Sequence, residues 1–268
     1  MKKIIYILCL LILFIVTTAC ENEQVVEVDV VHDEFTVVQS ELRLDRLFPG
    51  VRFTKTLPIG VPYDIKQAEL KNITAYIRID SIQVIPLHYS ADGVYNPLYE
   101  FYVESGRYFE LFALRDDTFI YAKTVIPEKP TVISTHYSLD EHYLQATVKP
   151  YRNEVYGALW AISSTPFIKA DDYYSVSVPT EFYPLSTVDV RTSPLPEDFR
   201  SPAYNDSRFI QVVSFDKSFK NYFHSRTSGQ GINDPFVQGG GVVEWNVQGD
   251  KVIGMFIGVS LGDVVPVP

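Results

Sequence analysis

From Val26 onward the chain is patterned mainly in twos. Val26, Val28 and Val30 interleave with Glu27, Asp29 and Val31, and strand-length segments follow at Val37–Leu44 and Val51–Leu57. The run Ile73-Thr-Ala75-Tyr-Ile77-Arg-Ile79-Asp80 sets one apolar face against one mostly polar face, the period of a half-buried strand. Ile82–Tyr89 and Leu98–Glu104 flank an expected loop, Ser90–Pro97, in which Asp92-Gly93 is a turn signal. Arg107–Leu114 and Phe119–Val125 complete a first block. Short strands at this spacing predict a sandwich or barrel, not a parallel sheet with helices.

Pro127-Glu-Lys-Pro130 reads as a hinge, because two prolines remove backbone donors and favour extended chain. It divides an N-terminal β domain, residues 25–127, from a C-terminal β domain, residues 128–268. In the second, Tyr143–Lys149 and Val155–Ser163 read as a strand pair. Ser164–Asn205 holds six prolines and predicts long loops with a strand near Val176. Arg208–Phe215 is a further strand. One short helix is expected near 216–226: Asp216 can cap it, and Phe219, Tyr222, Phe223 and Arg226 share a face. Two last strands, Val242–Val247 and Lys251–Ser260, are expected as a hairpin around Gln248-Gly-Asp250.

The N-terminus breaks this pattern. Met1-Lys2-Lys3 is followed by Ile4–Ala19, which carries no charge, a basic n-region and an apolar h-region as in a secretory signal. As a helix at about 1.5 Å per residue it reaches roughly 24 Å, short of the ~30 Å hydrocarbon core. Thr17-Thr18-Ala19-Cys20 resembles the bacterial lipobox, with Thr17 where Leu is usual. Residues 1–19 are therefore read as a signal peptide, Cys20 as the lipidated first residue, and 20–24 as a polar tether. Stable anchoring needs more than one acyl chain, which a diacylglyceryl group plus an N-acyl chain on Cys20 supplies.

Composition narrows the function classes. The only cysteines are Cys9 and Cys20, so the mature chain is expected to fold without a disulfide. The chain carries a net charge of −10, and losing Lys2 and Lys3 makes it more negative still. An acidic surface repels nucleic acid, and no nucleic-acid partner is expected. With 18 Tyr and 17 Phe, most aromatics must be core or cross-strand residues. Tyr173, Tyr174, Phe182 and Tyr183 stand apart because they fall in the loop-rich stretch, where binding residues tend to be carried. They are the candidate ligand-binding aromatics, suited to stacking on sugar rings or anchoring an interface.

Catalytic patterns are weak. Gly258-Val-Ser260-Leu-Gly262 matches the nucleophile-elbow spacing, but no helix and no His follow it. His136 and His142 lie six apart across an expected turn and no Cys can assist, so no metal site is assigned. The loop carboxylates Asp92, Asp116, Asp117, Asp171 and Asp172 form no EF-hand pattern. Gly239-Gly-Gly241 lacks the Lys-Ser/Thr of a phosphate loop. No catalytic residue and no cofactor is assigned.

Gly106-Arg-Tyr108-Phe-Glu-Leu111, followed by Ala122-Lys-Thr124-Val-Ile126-Pro127-Glu-Lys-Pro130, resembles a pattern of Bacteroidota lipoproteins, the domain-of-unknown-function 4249 family. Val213-Ser-Phe-Asp216-Lys-Ser-Phe219-Lys-Asn-Tyr222 and Asn233-Asp-Pro235-Phe236 are similar to that family's later segments, although the last strand lacks its Gly-Gly pair. The resemblance implies an immunoglobulin-like or carboxypeptidase-regulatory-like β-sandwich followed by a second antiparallel β domain. It also implies lipid anchoring in the outer membrane and an accessory role near a TonB-dependent receptor, without enzymatic activity. The rival expectations are a glycan- or peptide-processing enzyme using loop carboxylates such as Asp171-Asp172 and Asp140-Glu141, and a structural adhesin.

Overall fold

The alternation in the first half becomes strand pairing from Thr36. In a computed structural model, the described residues are 32–164, 166–179, 187–228 and 243–268. The first half holds β1 (Thr36–Arg43), β2 (Val51–Lys55), a single helical turn α1 (Ile65–Ala68), β3 (Ile73–Ile79), β4 (Gln83–Tyr89), β5 (Val94–Pro97), β6 (Tyr108–Arg115) and β7 (Thr118–Val125). Then come β8 (Thr131–Tyr137), β9 (Leu144–Lys149), β10 (Glu154–Ile162), β11 (Ile168–Lys169), β12 (Val176–Ser177) and β13 (Val188–Arg191). Two 3-10 turns, Glu197–Phe199 and Pro202–Ser207, precede β14 (Arg208–Asp216), α2 (Phe219–Ser228), β15 (Val247–Gln248) and β16 (Val252–Pro266). The protein is all-β and sandwich-like, with one 13-stranded mixed sheet and one 3-stranded sheet.

The large sheet runs β11-β10-β14-β16-β1-β2-β5-β4-β3-β6-β7-β15, with β12 beside β10. In β3 the residues Ile73, Ala75, Ile77 and Ile79 point inward. They meet Phe109 and Leu111 of β6, Ile120 and Ala122 of β7, Val38 and Leu42 of β1 and Phe53 of β2. Each large aliphatic buried this way contributes about 1.5–3 kcal/mol. This part of the sheet curls back towards β16. Gly258 N–H donates to Thr124 Oγ1 at 2.8 Å. The Asn246 side chain accepts Phe256 N–H at 2.9 Å and donates to Phe256 O at 2.6 Å, replacing a strand ladder.

The smaller sheet, β13-β9-β8, covers one face of β10 and β14. Leu144, Ala146 and Val148 pack there against Tyr156, Ala158, Trp160, Ile210 and Val212. The opposite face carries Val155, Val213, Phe215 and Val259 under Phe223 of α2. β10 is therefore buried at every position, which explains its unbroken apolar run. Residues Glu34–Pro268 form one unit, and β16 joins two of its three apolar clusters, contributing Phe256 to one and Val259 to another.

Several expectations change. Leu98–Glu104 is irregular apart from a bridge between Tyr102 and Leu47, and the strand after β4 is β5, inside the expected loop. The reason is the turn: Val94 N–H donates to Ala91 O at 2.8 Å, so the chain reverses around Asp92-Gly93 at once. β1 pairs with β16 in parallel, Thr36 opposite Val252 through Arg43 opposite Val259, while the other strand pairs among the described residues are antiparallel. The last two strands do not pair with each other: β15 joins β7, while β16 joins β1 and β14 and extends to Pro266. The helix begins at Phe219, and Asp216 closes β14, its carboxylate accepting N–H groups from Ser218 and Val125. Pro127-Glu-Lys-Pro130 is packed chain, with both prolines buried and Glu128 N–H bonded to the Glu154 carboxylate at 2.7 Å.

Candidate functional site

Of the residues singled out from sequence, Cys20, Phe182 and Tyr183 lie outside the described residues. Tyr173 and Tyr174 part company. The Tyr173 ring sits edge-on to Phe215 at 5.2 Å and to Phe219 at 6.3 Å, and burial pushes its hydroxyl pKa up to about 12. Tyr174 is exposed. Ser260 of the elbow-like pattern stands in the middle of β16, fully buried, with no strand-to-helix turn to present it. Asp172 is engaged by Arg226 at 2.7 Å and by the Tyr173 N–H at 2.8 Å. His142 Nδ1 lies 3.0 Å from Tyr137 Oη. Among the described residues no three metal-ligating side chains cluster.

A groove the aromatics did not point to lies where β1, β2, β5 and β16 meet α2. Alternation sends Val38 and Leu42 of β1 into the core and leaves Gln39, Glu41 and Arg43 outside. Pairing then sets the floor: Gln39 is opposite Arg52 of β2 and Met255 of β16, Glu41 opposite Ile257, and Arg52 opposite Val94 of β5. Phe219 of α2 and the Arg46–Gly50 loop complete an open groove of about 580 Å³. That loop is held firmly. Asp45 N–H donates to Val103 O and Val103 N–H to Arg46 O, both at 2.9 Å, and Phe48 stacks on Phe101 at 5.2 Å. Gly50 adopts φ +77, and a Cβ there would lie 2.6 Å from Tyr95 O, so the loop closes only with glycine.

The groove's charge is opposite to that of the chain. Arg43 Nε pairs with Glu41 Oε1 at 2.7 Å, and that hydrogen bond raises the Arg43 pKa. The guanidinium groups of Arg46 and Arg52 are exposed and make no ion pair or hydrogen bond among the described residues. Lys169 lies near enough to Arg43 for that charge, after the larger effect of burial, to lower its pKa. Ser40 Oγ already donates to Gly50 O at 2.7 Å. Two unpaired guanidinium forks beside Met255, Ile257, Val94 and Phe219 suit a ligand with an anionic group and an apolar part.

A second surface group is an aromatic row on the outer face of β3, β6 and β7. Tyr76 and Phe112 are 5.0 Å apart with planes 13° from parallel, too close to lie side by side in one plane. They are stacked across the strands, and Tyr121 and Phe119 lean on Phe112 at 5.2 and 6.2 Å. Arg78 covers Phe112 at 4.8 Å and pairs with buried Glu110 at 2.7 Å. The row offers ring edges and an occupied face, and its role is cross-strand stabilisation.

The groove arginines were missed in the sequence, yet a signal existed: Arg43, Arg46 and Arg52 fall within ten residues of an acidic chain. No protein-family model matches the chain, and no curated protein matches it. Fold and site together define an all-β protein with an arginine-lined surface groove.

Proposed function

We propose that this chain is a lipid-anchored cell-envelope protein that binds a ligand without converting it, engaging an anionic group of that ligand in the groove. One observation carries the ligand class: Arg46 and Arg52 face open solvent unpaired, beside an apolar floor, in a chain of net charge −10. Groups that could move protons are already engaged, Glu41 by Arg43 and Ser40 by Gly50 O. The signal-like N-terminus and Thr17-Thr18-Ala19-Cys20 support the anchor. Among the described residues no helix is long and apolar enough to cross a membrane. The family resemblance supports an outer-membrane location and a TonB-dependent receptor as the partner of an accessory subunit.

Thermal melts with dodecyl phosphate, laurate and dodecyl maltoside test the groove. The two anions are expected to raise the melting temperature, the neutral detergent is not, and the paired change Arg46→Gln/Arg52→Gln abolishes the response. An equal response to the neutral compound, or an unchanged response in the double variant, refutes the proposal. Co-purification from native membranes tests the receptor, and its absence from the recovered complex counts against the accessory role.

A further inference from the structure

The segment between β2 and α1 exposes apolar side chains that the fold gives no reason to expose. Leu57, Ile59, Val61 and Tyr63 recur at every second position; Leu57 is half-buried, while Ile59 is 88%, Val61 42% and Tyr63 68% exposed. Single exposed hydrophobics are ordinary, but a run carried on one short loop is a patch. The loop is also shaped. Val61 N–H donates to Pro58 O at 3.1 Å, and Gly60 has φ +88, the geometry of a type II turn with glycine at its third position. Ile59 is thereby held at the apex of the turn. Pro58 and Pro62 restrict the flanks, so little conformational entropy remains to be lost on docking.

The loop stands where the chain enters the folded unit. Thr56, directly before it, accepts Phe35 N–H at its Oγ1 and donates its own N–H to Phe35 O, both at 3.0 Å. Glu34 is fixed there too, by Arg115 at 2.5 Å and Lys55 at 3.1 Å. At most about 3.6 Å per residue, the chain from Cys20 to Asp33 spans less than roughly 50 Å. A lipid on Cys20 would hold the folded unit within that reach of a bilayer, attached through the end of the chain beside this loop. The surrounding cations are matched in number by carboxylates: Glu34 takes both Lys55 and Arg115, Asp92 takes Lys66 at 2.6 Å, Glu69 takes Lys71 at 3.0 Å, and Asp64 directly follows Tyr63. No net positive charge is left to select an acidic partner.

We infer that the Leu57–Tyr63 loop is a second membrane contact, in which Ile59, Val61 and Tyr63 insert into the interfacial layer of the bilayer beside the lipid anchor. The inference rests on the anchor reading of Cys20. Insertion is apolar, to the shallow depth of interfacial segments, so it does not require anionic lipid and survives salt.

The test uses the lipidated mature chain in neutral phosphatidylcholine vesicles. With Cys20 acylated, Ile59→Cys supplies the sole free thiol for an environment-sensitive fluorophore, and Leu139→Cys, in the β8–β9 turn, supplies a control. The label at position 59 should shift to the blue and lose most of its emission to nitroxide-bearing lipid, in low and high salt alike. The label at 139 should do neither. Mass analysis of the N-terminal peptide reads lipid attachment separately. A missing lipid overturns the anchor and this inference with it. Lipid present with an unquenched label at 59, or equal quenching at both positions, overturns the loop contact alone.

Discussion

Arg208 places its guanidinium carbon 4.0 Å from the centroid of the Tyr137 ring, and among the described residues no carboxylate is bonded to it. It is 2% exposed, an unusual setting for a charge without a counter-ion. The fork is satisfied by neutral acceptors: the carbonyls of Phe199 at 3.1 Å, Arg200 at 2.8 Å and Ser201 at 3.0 Å, and Asn205 Oδ1 at 2.9 Å. Those acceptors lie in and between the two 3-10 turns before β14, so Arg208 binds that stretch to the rest of the fold. Arg208→Lys keeps the charge but cannot reach four acceptors from one ammonium. We expect it to lower stability by about 3 kcal/mol, read from the urea midpoint. A loss no larger than that of an exposed arginine, such as Arg152→Lys, would show that the fork is not needed.

Stability should have an acidic optimum. Glu154 is 7% exposed, accepts N–H from Glu128 and O–H from Tyr156, and burial raises its pKa from 4.5 to about 7. A carboxyl whose folded pKa is raised binds its proton more tightly when folded. Stability therefore falls as pH climbs from about 4.5 to 7, by at most about 3 kcal/mol. Glu110 has the opposite sign. Its hydrogen bond from Arg78 lowers its pKa, so its contribution is lost as pH drops below 4.5. Urea midpoints should peak near pH 5. Glu154→Gln should flatten the decline towards pH 8 and leave the acid side unchanged. A wild-type curve that rises between pH 5 and 7 would contradict this account.

Local alternation made β3 legible, because Ile73, Ala75, Ile77 and Ile79 each gain burial on one face. It could not reveal β8: Thr131–Tyr137 pairs only with β9, keeps most side chains in water and carries no apolar period. Nor could it reveal that β1 lies beside β16, since a strand's face pattern is silent about a neighbour far along the chain. The groove was hidden for the same reason. Arg52, Met255, Ile257 and Phe219 come from three elements far apart in the chain, and only strand register and the docking of α2 bring them together. Overall charge further masked the local excess of arginine. The aromatic pair at 173–174 looked like a site because loops favour function, but Tyr173 is drawn into packing by Phe215.

Gly157 and Tyr173 should behave as one unit. A Cβ at Gly157 would lie 2.7 Å from a ring carbon of Tyr173, so the glycine in β10 makes the space that the ring fills. Gly157→Ala should displace the ring and cost about 2 kcal/mol. The Tyr173 hydroxyl should then titrate closer to 10 than to 12, visible by ultraviolet absorbance. Tyr173→Ala alone should also destabilise, but adding Gly157→Ala to it should cost much less than in the wild type, because the clash has gone. Strict additivity in this cycle would mean that the two residues do not meet.

Ser260 offers the sharpest separation between a structural serine and a nucleophile. Its Oγ is buried and has no hydrogen-bond partner among the described residues, while its neighbour Ser214 donates to Glu128 O at 2.7 Å. A buried hydroxyl without a partner carries its full desolvation cost, roughly 1–3 kcal/mol. Ser260→Ala removes that cost and leaves a gap of only one oxygen. The variant is expected to be more stable by about 1 kcal/mol, with the binding response to dodecyl phosphate unchanged. Ser214→Ala, which breaks a bond to the segment between β7 and β8, should destabilise instead. If Ser260→Ala lost stability as Ser214→Ala does, the hydroxyl would have to be bonded. If it abolished an esterase activity of the wild-type chain, the binding-only reading would fall with it.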